Sequence, residues 1–345
     1  MPDPLPPLLD ARLVIVTGKG GTGKTTVAAA LALAAARAGR RVLLAEVGRD
    51  EQAAALVRPG VGPVGYAGRE VAPGLRAMRL DPFDALADYL GLQLGSFVAE
   101  RVVRNRAFQQ LMGATPGWRE LIALGAIWHF ERGRERDGRP TVDLIVVDAP
   151  ATGHGLTFLD VPHVVASAVR TGPLRRNAAE VERLLADPRR TRLLPVALAE
   201  ELPVRETAEL VGRLRSERQI AVDRIVVNAV EARPLPASLE SLPDALDALA
   251  ASEAGARAGA PSAPPPGVLA RCIRHRVARR ALHERQLAML GELVQLPVVV
   301  LPFLPGAVRG PDDLAALAPH LLAAPVDARD AARDAHPAPG GEAVA

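Results

Sequence analysis

Gly18-Lys-Gly-Gly-Thr-Gly-Lys-Thr-Thr26 is the stretch of this sequence that decides the fold. The run before it, from Leu13 to Thr17, is short, apolar and rich in β-branched residues, which is typical of a buried parallel strand. The run after it, from Val27 to Ala38, is rich in Ala and Leu, which favour a helix. A glycine-rich turn between a strand and a helix, with the spacing G-x-x-x-x-G-K-S/T, predicts a phosphate-binding loop. A glycine-rich turn with this spacing by chance is the alternative, but it does not explain why strand, motif and helix are in register.

Each residue type of the loop has a predicted task. Glycines lack a Cβ atom, so backbone N–H groups can surround an anion, and the start of the following helix adds a positive end. We expect Lys24 to reach the β- and γ-phosphates of a nucleotide and the Thr25 hydroxyl to ligate Mg²⁺. The predicted nucleotide-binding residues are Gly18, Lys19, Gly20, Gly21, Thr22, Gly23, Lys24, Thr25 and Thr26.

Lys19 is a second lysine that the loop does not need for its own phosphates. The chain has 42 Lys and Arg residues, and Lys19 and Lys24 are its only lysines. An ammonium group is a compact point charge, and a planar guanidinium does not replace it at a crowded phosphate. The restriction of lysine to these two positions predicts that both act on phosphates.

Composition excludes several classes of protein. The net charge is +3 and the arginines are interspersed among acids, so the sequence predicts no nucleic-acid partner. Cys272 is the single cysteine, which excludes an internal disulfide or a multi-thiolate metal site within one chain. Residues 1–10 lack the basic start of a signal peptide, and no apolar run reaches the ~18 residues of a membrane span. We therefore predict a cytoplasmic protein.

The order of the apolar runs predicts an α/β fold, with a doubly wound, mostly parallel sheet between two layers of helices. With 345 residues and 49% hydrophobic side chains, the chain can build a full core. We predict a flexible leader (1–11), one domain (12–322) and a disordered tail (323–345). Within the domain we expect an inserted helical subdomain at about 83–130 and a low-complexity stretch at about 237–266.

The predicted helical subdomain is rich in aromatic residues. It holds both tryptophans, Trp118 and Trp128, together with Tyr89 and four of the six phenylalanines. This concentration fits either an apolar groove for a client or an ordinary helical layer with its own small core, and the sequence leaves both open.

A second buried strand, from Thr141 to Asp148, ends in an acid and is followed by a loop that contains Pro and Gly. An acid beside a phosphate-binding loop is expected to hold Mg²⁺ through its water shell, so Asp148 is the second predicted metal residue. The loop from Ala149 to Gly155 can sense a γ-phosphate, as switch loops do, and Gly153 is its predicted nucleotide contact.

Asp148-Ala-Pro-Ala-Thr-Gly-His154 resembles the second switch, D-T-A-P-T-G-H, of the arsenical-pump (ArsA-like) ATPases, a family that includes the ATPases of tail-anchored membrane-protein targeting. The lysine after the first glycine, Lys19, resembles that of the deviant Walker A class of P-loop ATPases. The resemblance extends from residue 13 to about 322. Other stretches that resemble the family are Leu80–Pro82, Ala114–Glu120, Leu202–Thr207, Val226–Asn228 and Leu301–Gly310.

The resemblance implies a P-loop ATPase that binds Mg·ATP and closes into a homodimer, or into a heterodimer with a related ATPase. Closure would be coupled to a transport or targeting client, with a membrane protein or a membrane as partner. It implies that Lys19 reaches the nucleotide of the facing subunit and that Asn228 reads adenine. Pro302, Phe303 and Pro305 would form the adenine-side loop. Water would attack the γ-phosphate in line while Lys24, Lys19 and the loop amides spread the charge.

One position departs from the family. Gly48 stands where the family has the first-switch aspartate, which positions the attacking water. We predict that Glu46 or Asp50 takes over this role, because both lie at the carboxyl end of a strand, where ligands bind in open α/β sheets. The alternative is a degenerate switch with slow hydrolysis. A single cysteine also cannot supply the family's arsenite site or its zinc-clamped dimer.

Two rival functions follow from the same sequence. The first is a nucleotide-binding subunit with weak activity of its own that needs a partner ATPase, and the missing aspartate favours it. The second is a partitioning or metallocentre-insertion ATPase of the same P-loop class. That function predicts DNA or metal-enzyme partners, which the absence of a basic stripe and of paired cysteines disfavours.

Overall fold

An eight-stranded sheet forms the centre of the molecule. The computed structural model describes residues 8–48, 51–114, 117–150, 152–217, 220–232, 239–251 and 264–334. Strand order across the sheet is β3-β4-β2-β5-β1-β6-β7-β8; β3 pairs antiparallel with β4 at one edge, and the other pairs are parallel. The strands are β1 (Leu13–Gly18), β2 (Val42–Glu46), β3 (Arg69–Ala72), β4 (Leu75–Arg79), β5 (Leu144–Asp148), β6 (Thr191–Leu198), β7 (Ile225–Val230) and β8 (Val298–Pro302).

Helices connect the strands and cover both faces of the sheet. Among the described residues, no helix combines the length and apolarity needed to cross a bilayer. The helices are α1 (Lys24–Arg37), α2 (Gln52–Val57), α3 (Pro82–Leu94), α4 (Ser96–Val103), α5 (Arg106–Gly113), α6 (Trp118–Arg132), α7 (Thr152–Ala168), α8 (Pro173–Ala186), α9 (Glu201–Glu217), α10 (Leu242–Ala251), α11 (Pro266–Leu293), α12 (Pro311–Leu322) and α13 (Ala328–Asp334).

Alternating side chains on the strands supply two separate cores. On β1, Val14 and Val16 belong to a core that includes α1, α2 and α12, whereas Leu13 and Ile15 belong to one that includes α6 to α9, α11 and α13. This is the two-residue period of a strand buried on both faces. The structure therefore confirms the predicted α/β fold, a doubly wound, mostly parallel sheet between two helical layers.

The alanine content of α1 has a packing reason. Every residue from Val27 to Ala36 is buried, because this helix lies between the sheet and the helices α2 and α12. Small side chains let a helix approach its neighbours closely on all sides. The first turn of α1, which carries Lys24, the predicted phosphate-binding lysine, is thereby fixed relative to the sheet.

The start of the chain differs from the predicted flexible leader. Leu8–Asp10 form a short 3-10 helix, and Leu8 and Ala11 are buried in the core that includes α1. Arg40 donates a hydrogen bond from Nε to the Leu9 carbonyl oxygen at 3.1 Å. An apolar pair in a proline-rich stretch was too short a signal to reveal this packing. Residues 1–7 lie outside the described residues.

The end of the chain also differs from the prediction of a disordered tail after residue 322. Val326 and Val298 exchange backbone hydrogen bonds of 2.9 and 2.7 Å, and α13 buries Ala328 and Ala331. Gly291 on α11 allows this contact, because a Cβ there would lie 3.2 Å from the Cβ of Ala328. Residues 335–345 lie outside the described part.

Two helices begin earlier than the sequence indicated. α7 begins at Thr152, within the stretch predicted to be a loop up to Gly155. The stretch Leu202–Thr207 resembles a family segment in which Glu206 and Thr207 open a helix, but α9 begins at Glu201, with Pro203 in the first turn, where a helix tolerates proline. Glu206 consequently lies one turn further into α9, on a fixed helix rather than at its flexible start.

The helices α3 to α6 occupy the segment predicted to form an inserted helical subdomain. They have a small core of their own that includes Leu86, Val103 and Trp118. The Phe83 and Trp118 rings pack with centroids 4.8 Å apart. Within the predicted low-complexity stretch, α10 is described and residues 252–263 are not.

Candidate functional site

The phosphate-binding loop joins β1 to α1, and its backbone requires glycine at two points. Gly18 has a φ of +144°, and a Cβ there would lie 2.3 Å from the Val196 carbonyl oxygen. Gly23 has a φ of +90°, and a Cβ there would lie 2.1 Å from Asn228 Nδ2. At these two glycines the loop packs closely against β6 and β7. The loop therefore lies at the carboxyl edge of the sheet, where ligands of open α/β sheets bind.

Lys24, Thr25 and Asp148 converge at this edge, as the sequence predicted. The Thr25 hydroxyl donates a hydrogen bond of 2.6 Å to Asp148 Oδ2, and Lys24 Nζ donates one of 2.9 Å to the Lys19 carbonyl oxygen. Burial raises the pKa of Asp148, an effect that the Thr25 hydrogen bond and the Lys24 charge oppose. Burial also lowers the pKa of Lys24, while the Asp148 charge raises it. The ammonium and the carboxylate thus stabilise each other's charged form in a poorly hydrated place.

The oxygen atoms at this point fit a hydrated Mg²⁺ ion. Asp148 Oδ1 is buried and has no hydrogen-bond partner among the described residues. An unpaired buried carboxylate oxygen beside a hydroxyl is a donor set that suits Mg²⁺, which prefers oxygen ligands and retains several waters. Thr25 would ligate the ion directly and Asp148 would hold one of its waters.

The Lys19 ammonium pairs with a side chain outside the phosphate-binding loop. Its Nζ forms an ion pair of 2.8 Å with Glu206 Oε1 on α9, and the two side chains are 35% and 37% exposed. Lys19 is also absent from the residues that line the pocket beside the loop. The two lysines therefore have different surroundings, although only five positions separate them in the sequence.

Glu46 is placed at the end of β2, opposite Asp148 on β5, but its carboxylate already has partners. Its Oε1 accepts hydrogen bonds of 2.8 Å from the backbone N–H groups of Gln52 and Ala53, at the start of α2. Burial raises the pKa of Glu46 to about 7, and the nearby Asp148 charge adds to the rise. These contacts favour anchoring of α2 over orientation of water. Asp50, the other predicted acid, lies outside the described residues.

Asn228 contacts the phosphate-binding loop directly. Its Nδ2 donates 2.9 Å to the Thr22 carbonyl oxygen, and its Oδ1 accepts 2.9 Å from the N–H of Ala229. The side chain therefore holds the loop on β7 in addition to any role toward adenine. Ala229 has a φ of +55°, a conformation that the Asn228 hydrogen bond helps to hold.

The predicted adenine-side residues follow β8. Pro302 ends this strand beside Val230, and the Phe303 N–H donates 2.9 Å to the Val230 carbonyl oxygen. Arg279 of α11 lies over the Phe303 ring, 4.9 Å from its centroid. Pro305 is exposed two residues later. These residues adjoin the carboxyl end of β7, which carries Asn228.

An open pocket of about 640 Å³ lies beside the loop. Five of its lining residues are predicted ones: Gly21, Gly23, Lys24, Thr25 and Thr26. Three polar lining residues were not among the predicted site residues: Glu51, Gln52 and Arg309. Glu51 and Gln52 follow the carboxyl end of β2, and Arg309 lies in the Leu301–Gly310 stretch that resembles the family. Gly153, the other predicted glycine, lies in the first turn of α7, which begins four residues after the last residue of β5.

The arrangement can bind a polyphosphate and stabilise negative charge on it. A glycine loop at a helix start, a lysine, a hydroxyl and a buried acid with one unpaired oxygen are the parts that phosphoryl transfer to water needs on the phosphate side.

Known proteins are similar to this chain in sequence to different extents. A family model described as "Anion-transporting ATPase" matches residues 11–175. ATPase BagA of Mycobacterium tuberculosis is 34% identical over 311 residues, which cover 86% of this chain and 88% of that protein. The arsenical pump-driving ATPase of Escherichia coli is 29% identical over 253 residues, 68% of this chain and 41% of that protein. ATPase GET3 of Kluyveromyces lactis is 26% identical over 253 residues, 63% of this chain and 71% of that protein.

Proposed function

Because the chain belongs to the anion-transporting ATPase family and is an ATP-hydrolysing enzyme, we propose that two subunits close around Mg·ATP and that Lys19 of each acts on the nucleotide of the other. The partner is a second copy of this chain or a related ATPase. The observation that carries the proposal is the convergence of Lys24 with the 2.6 Å contact between Thr25 and Asp148. Lys24, Thr25 and Asp148 would bind the phosphates and the Mg²⁺ ion of the nucleotide in their own subunit, so that nucleotide does not need Lys19 of the same subunit.

Hydrolysis would proceed by in-line attack of water on the γ-phosphate. Lys24 and the loop amides would bind the β- and γ-phosphates, and the incoming Lys19 would add a second positive charge where the transition state becomes more negative. Mg²⁺, held by Thr25 and through water by Asp148, supplies charge neutralisation when it is bound. Asp148 Oδ1, which is buried and unpaired, would accept a hydrogen bond from the ion's water shell.

The mechanism also requires an acid that orients the attacking water. We retain Asp50 as the proposed residue, because Glu46 Oε1 already accepts two backbone hydrogen bonds. Turnover of Asp50→Asn and Glu46→Gln separates the two. Loss of turnover in Asp50→Asn alone is expected, and equal turnover in wild type and both variants would remove the idea of a substitute acid.

We further propose that subunit closure is coupled to the helical layer α3 to α6. α7, which begins four residues after Asp148, packs against α6 and α8, so a movement of the segment after β5 reaches that layer. Phe97 on α4 is 80% exposed, and an apolar side chain at such a position suits a membrane-protein client or a membrane partner.

A nucleotide-binding subunit that depends on a partner ATPase is the second candidate. The observation in its favour is that Gly48 replaces an acid while Glu46 is occupied at the start of α2. ATP binding with negligible turnover at every protein concentration would support this function over a self-sufficient homodimer.

Mixing two inactive variants tests the action of Lys19 across subunits. Lys19→Ala and Lys24→Ala should each lose activity as a homodimer. In a mixed dimer, the nucleotide bound by the Lys19→Ala subunit keeps its own Lys24 and receives Lys19 from the partner. With equal amounts and random pairing, about one quarter of the sites should be active. No recovery on mixing would show that Lys19 acts within its own subunit or that this chain does not form the dimer.

A further inference from the structure

A second cavity, of about 610 Å³, lies among the helices α3, α4, α6 and α8. It shares no lining residue with the pocket beside the phosphate-binding loop. Its volume falls in the range of pockets that bind small organic molecules. It is therefore a candidate for a site separate from ATP hydrolysis.

The wall of this cavity contains a glycine that the helix does not need. Gly125 lies in the interior of α6 and lines the cavity, and a Cβ at this position would meet no atom within 4 Å. Glycine in a helix interior costs about 1 kcal/mol relative to alanine. Packing does not require glycine here, so its effect is to widen the cavity between Leu121 and Trp128, which line the same side.

The charges on the cavity wall are negative. Asp88 of α3 and Glu100 of α4 line it, and its described lining contains no arginine or lysine. Glu100 has a partner, since Arg104 lies 3.8 Å away, on the exposed surface. Asp88 is exposed and forms no ion pair within the described residues. Burial, followed by the nearby Asp88 charge, raises the pKa of the Tyr66 hydroxyl, so the two groups are close to each other. The Asp88 carboxylate is therefore available to a cation.

A neighbouring acid strengthens the negative field at Asp88. Asp84 lies one turn earlier on α3, and burial together with the charges of Asp81 and Asp88 raises its pKa, although the charges of Arg79 and Arg104 oppose this rise. Like charges four residues apart destabilise a helix, so a bound cation would relieve this repulsion.

Aromatic rings complete the wall. Tyr66, Tyr89, Trp128 and Phe130 line the cavity, and the Tyr66 and Phe130 ring centroids are 6.5 Å apart. The Tyr89 hydroxyl is held by Asn177 Nδ2 at 3.1 Å. Aromatic faces bind apolar groups and attract cations through their quadrupole, so rings around one carboxylate favour a ligand with both characters.

We propose that this cavity binds a small amphipathic organic cation, with its apolar body against α6 and α8 and its protonated amine on Asp88. The ligand class follows from the apolar walls, the free carboxylate and the aromatic rings. This site does not rest on the proposed dimer or on hydrolysis, so its test uses no nucleotide.

Three pyrene derivatives with one body and different charge test the proposal. Pyrenemethylamine, pyrenemethanol and pyrenecarboxylate are titrated into the full chain, and binding is followed by quenching of tryptophan fluorescence. A charge-assisted contact with Asp88 predicts that the amine binds roughly tenfold more tightly than the alcohol. The carboxylate should bind most weakly. Equal affinity for amine and alcohol would overturn the proposal.

Two variants locate the binding. Asp88→Asn should bring the amine to the affinity of the alcohol without changing the alcohol's affinity. Gly125→Leu should fill the cavity and weaken both by roughly tenfold or more, whereas Gly125→Ala, the matched control, should change little. If Gly125→Leu does not fold, Leu174→Trp at the exposed rim replaces it and should give the same loss. Selectivity that survives in Asp88→Asn, or affinity that survives the space-filling change, would place the probe elsewhere and refute the assignment.

Discussion

The ion pair between Lys19 and Glu206 leads to a prediction about how the enzyme is held in its single-subunit state. In this structure the Lys19 ammonium is bound by a carboxylate of its own chain, 2.8 Å away on α9. The proposed function requires the same ammonium on the nucleotide of a partner. The pair must therefore open before Lys19 can act, and Glu206→Gln should make this step easier.

The size of the effect follows from the exposure of the pair. Both side chains are about one third exposed, so the ion pair belongs to the weak class, worth at most ~1 kcal/mol. A symmetric dimer opens two such pairs, which gives at most ~2 kcal/mol per dimer. This corresponds to a factor of up to about 30 in the association constant of the dimer. The effect should also shrink at high salt, because exposed charges are screened.

The measurement is ATP turnover per subunit over a series of protein concentrations. Glu206→Gln should reach half of its maximal turnover at a lower protein concentration than wild type, while the plateau stays the same. Glu201→Gln is the matched control, because it removes an exposed carboxylate from the same helix that pairs with Arg205 rather than with Lys19. A midpoint that is unchanged or raised in Glu206→Gln would refute the reasoning. A lower plateau would mean that Glu206 has a direct role in the closed state.

Three further predictions concern stability and the loop. The pKa of Glu46 rises from its ordinary 4.5 to about 7, so the native state keeps a proton that the unfolded chain releases. The free energy of unfolding should therefore fall by up to ~3 kcal/mol as pH rises from 4.5 to 7, and Glu46→Gln should lack this fall in urea unfolding measured across that range. Asp223→Asn removes the partner of the fully buried Arg192, whose Nε lies 3.3 Å away, and should lower the free energy of unfolding by ~3–5 kcal/mol. Gly23→Ala should weaken ATP binding by about tenfold or more in a fluorescent-nucleotide titration, because the new Cβ meets Asn228 and the φ is positive.

Two of these changes, Asp223→Asn and Gly23→Ala, have a matched control in the same chain. Asp244→Asn removes an exposed partner of Arg274, and its effect should stay within ~0.5 kcal/mol. Gly21→Ala shares a positive φ with Gly23 but meets no atom within 4 Å, so it isolates the backbone cost from the collision. If Asp223→Asn unfolds no more easily than Asp244→Asn, the buried pair is not needed for stability. If Gly21→Ala and Gly23→Ala weaken ATP binding equally, Asn228 does not constrain the loop.

Much of the site could be predicted because its signals are local. Spacing alone identified the strand, the glycines, Lys24 and Thr25, since the loop is continuous in sequence. Asp148 could be added because it ends a buried strand, and the parallel sheet brings that strand beside β1, where Val16 pairs with Asp148. Register and strand order thus bring the two separate motifs together, and the Thr25 hydroxyl contacts Asp148 at 2.6 Å.

The remaining features depend on contacts that no local pattern carries. Glu206 reaches Lys19 across 187 positions, and only the earlier start of α9 places it there. Glu46 was one of two acids expected to position the attacking water at a strand end, but backbone N–H groups at the start of the short helix α2 donate hydrogen bonds to its carboxylate. Leu8 and Ala328 look like parts of polar or low-complexity ends, yet both fill gaps in the cores. In each case tertiary packing, which outweighs local propensity, determined where a single apolar or acidic side chain lies.

The two lysines show why the same charge can serve two roles in one loop. Lys24 is half buried and bonded to the backbone of its own loop, with the Asp148 charge beside it, so moving it away would leave a buried carboxylate unpaired. Lys19 is held by one exposed carboxylate, and releasing it costs no more than a surface ion pair. Lys24 can therefore remain at the phosphates, whereas Lys19 can break and re-form its ion pair at little cost in free energy. This difference in partners, rather than in residue type, makes Lys19 the part of the loop suited to a partner's nucleotide. It is also why mixing Lys19→Ala with Lys24→Ala is expected to restore activity that neither variant has alone.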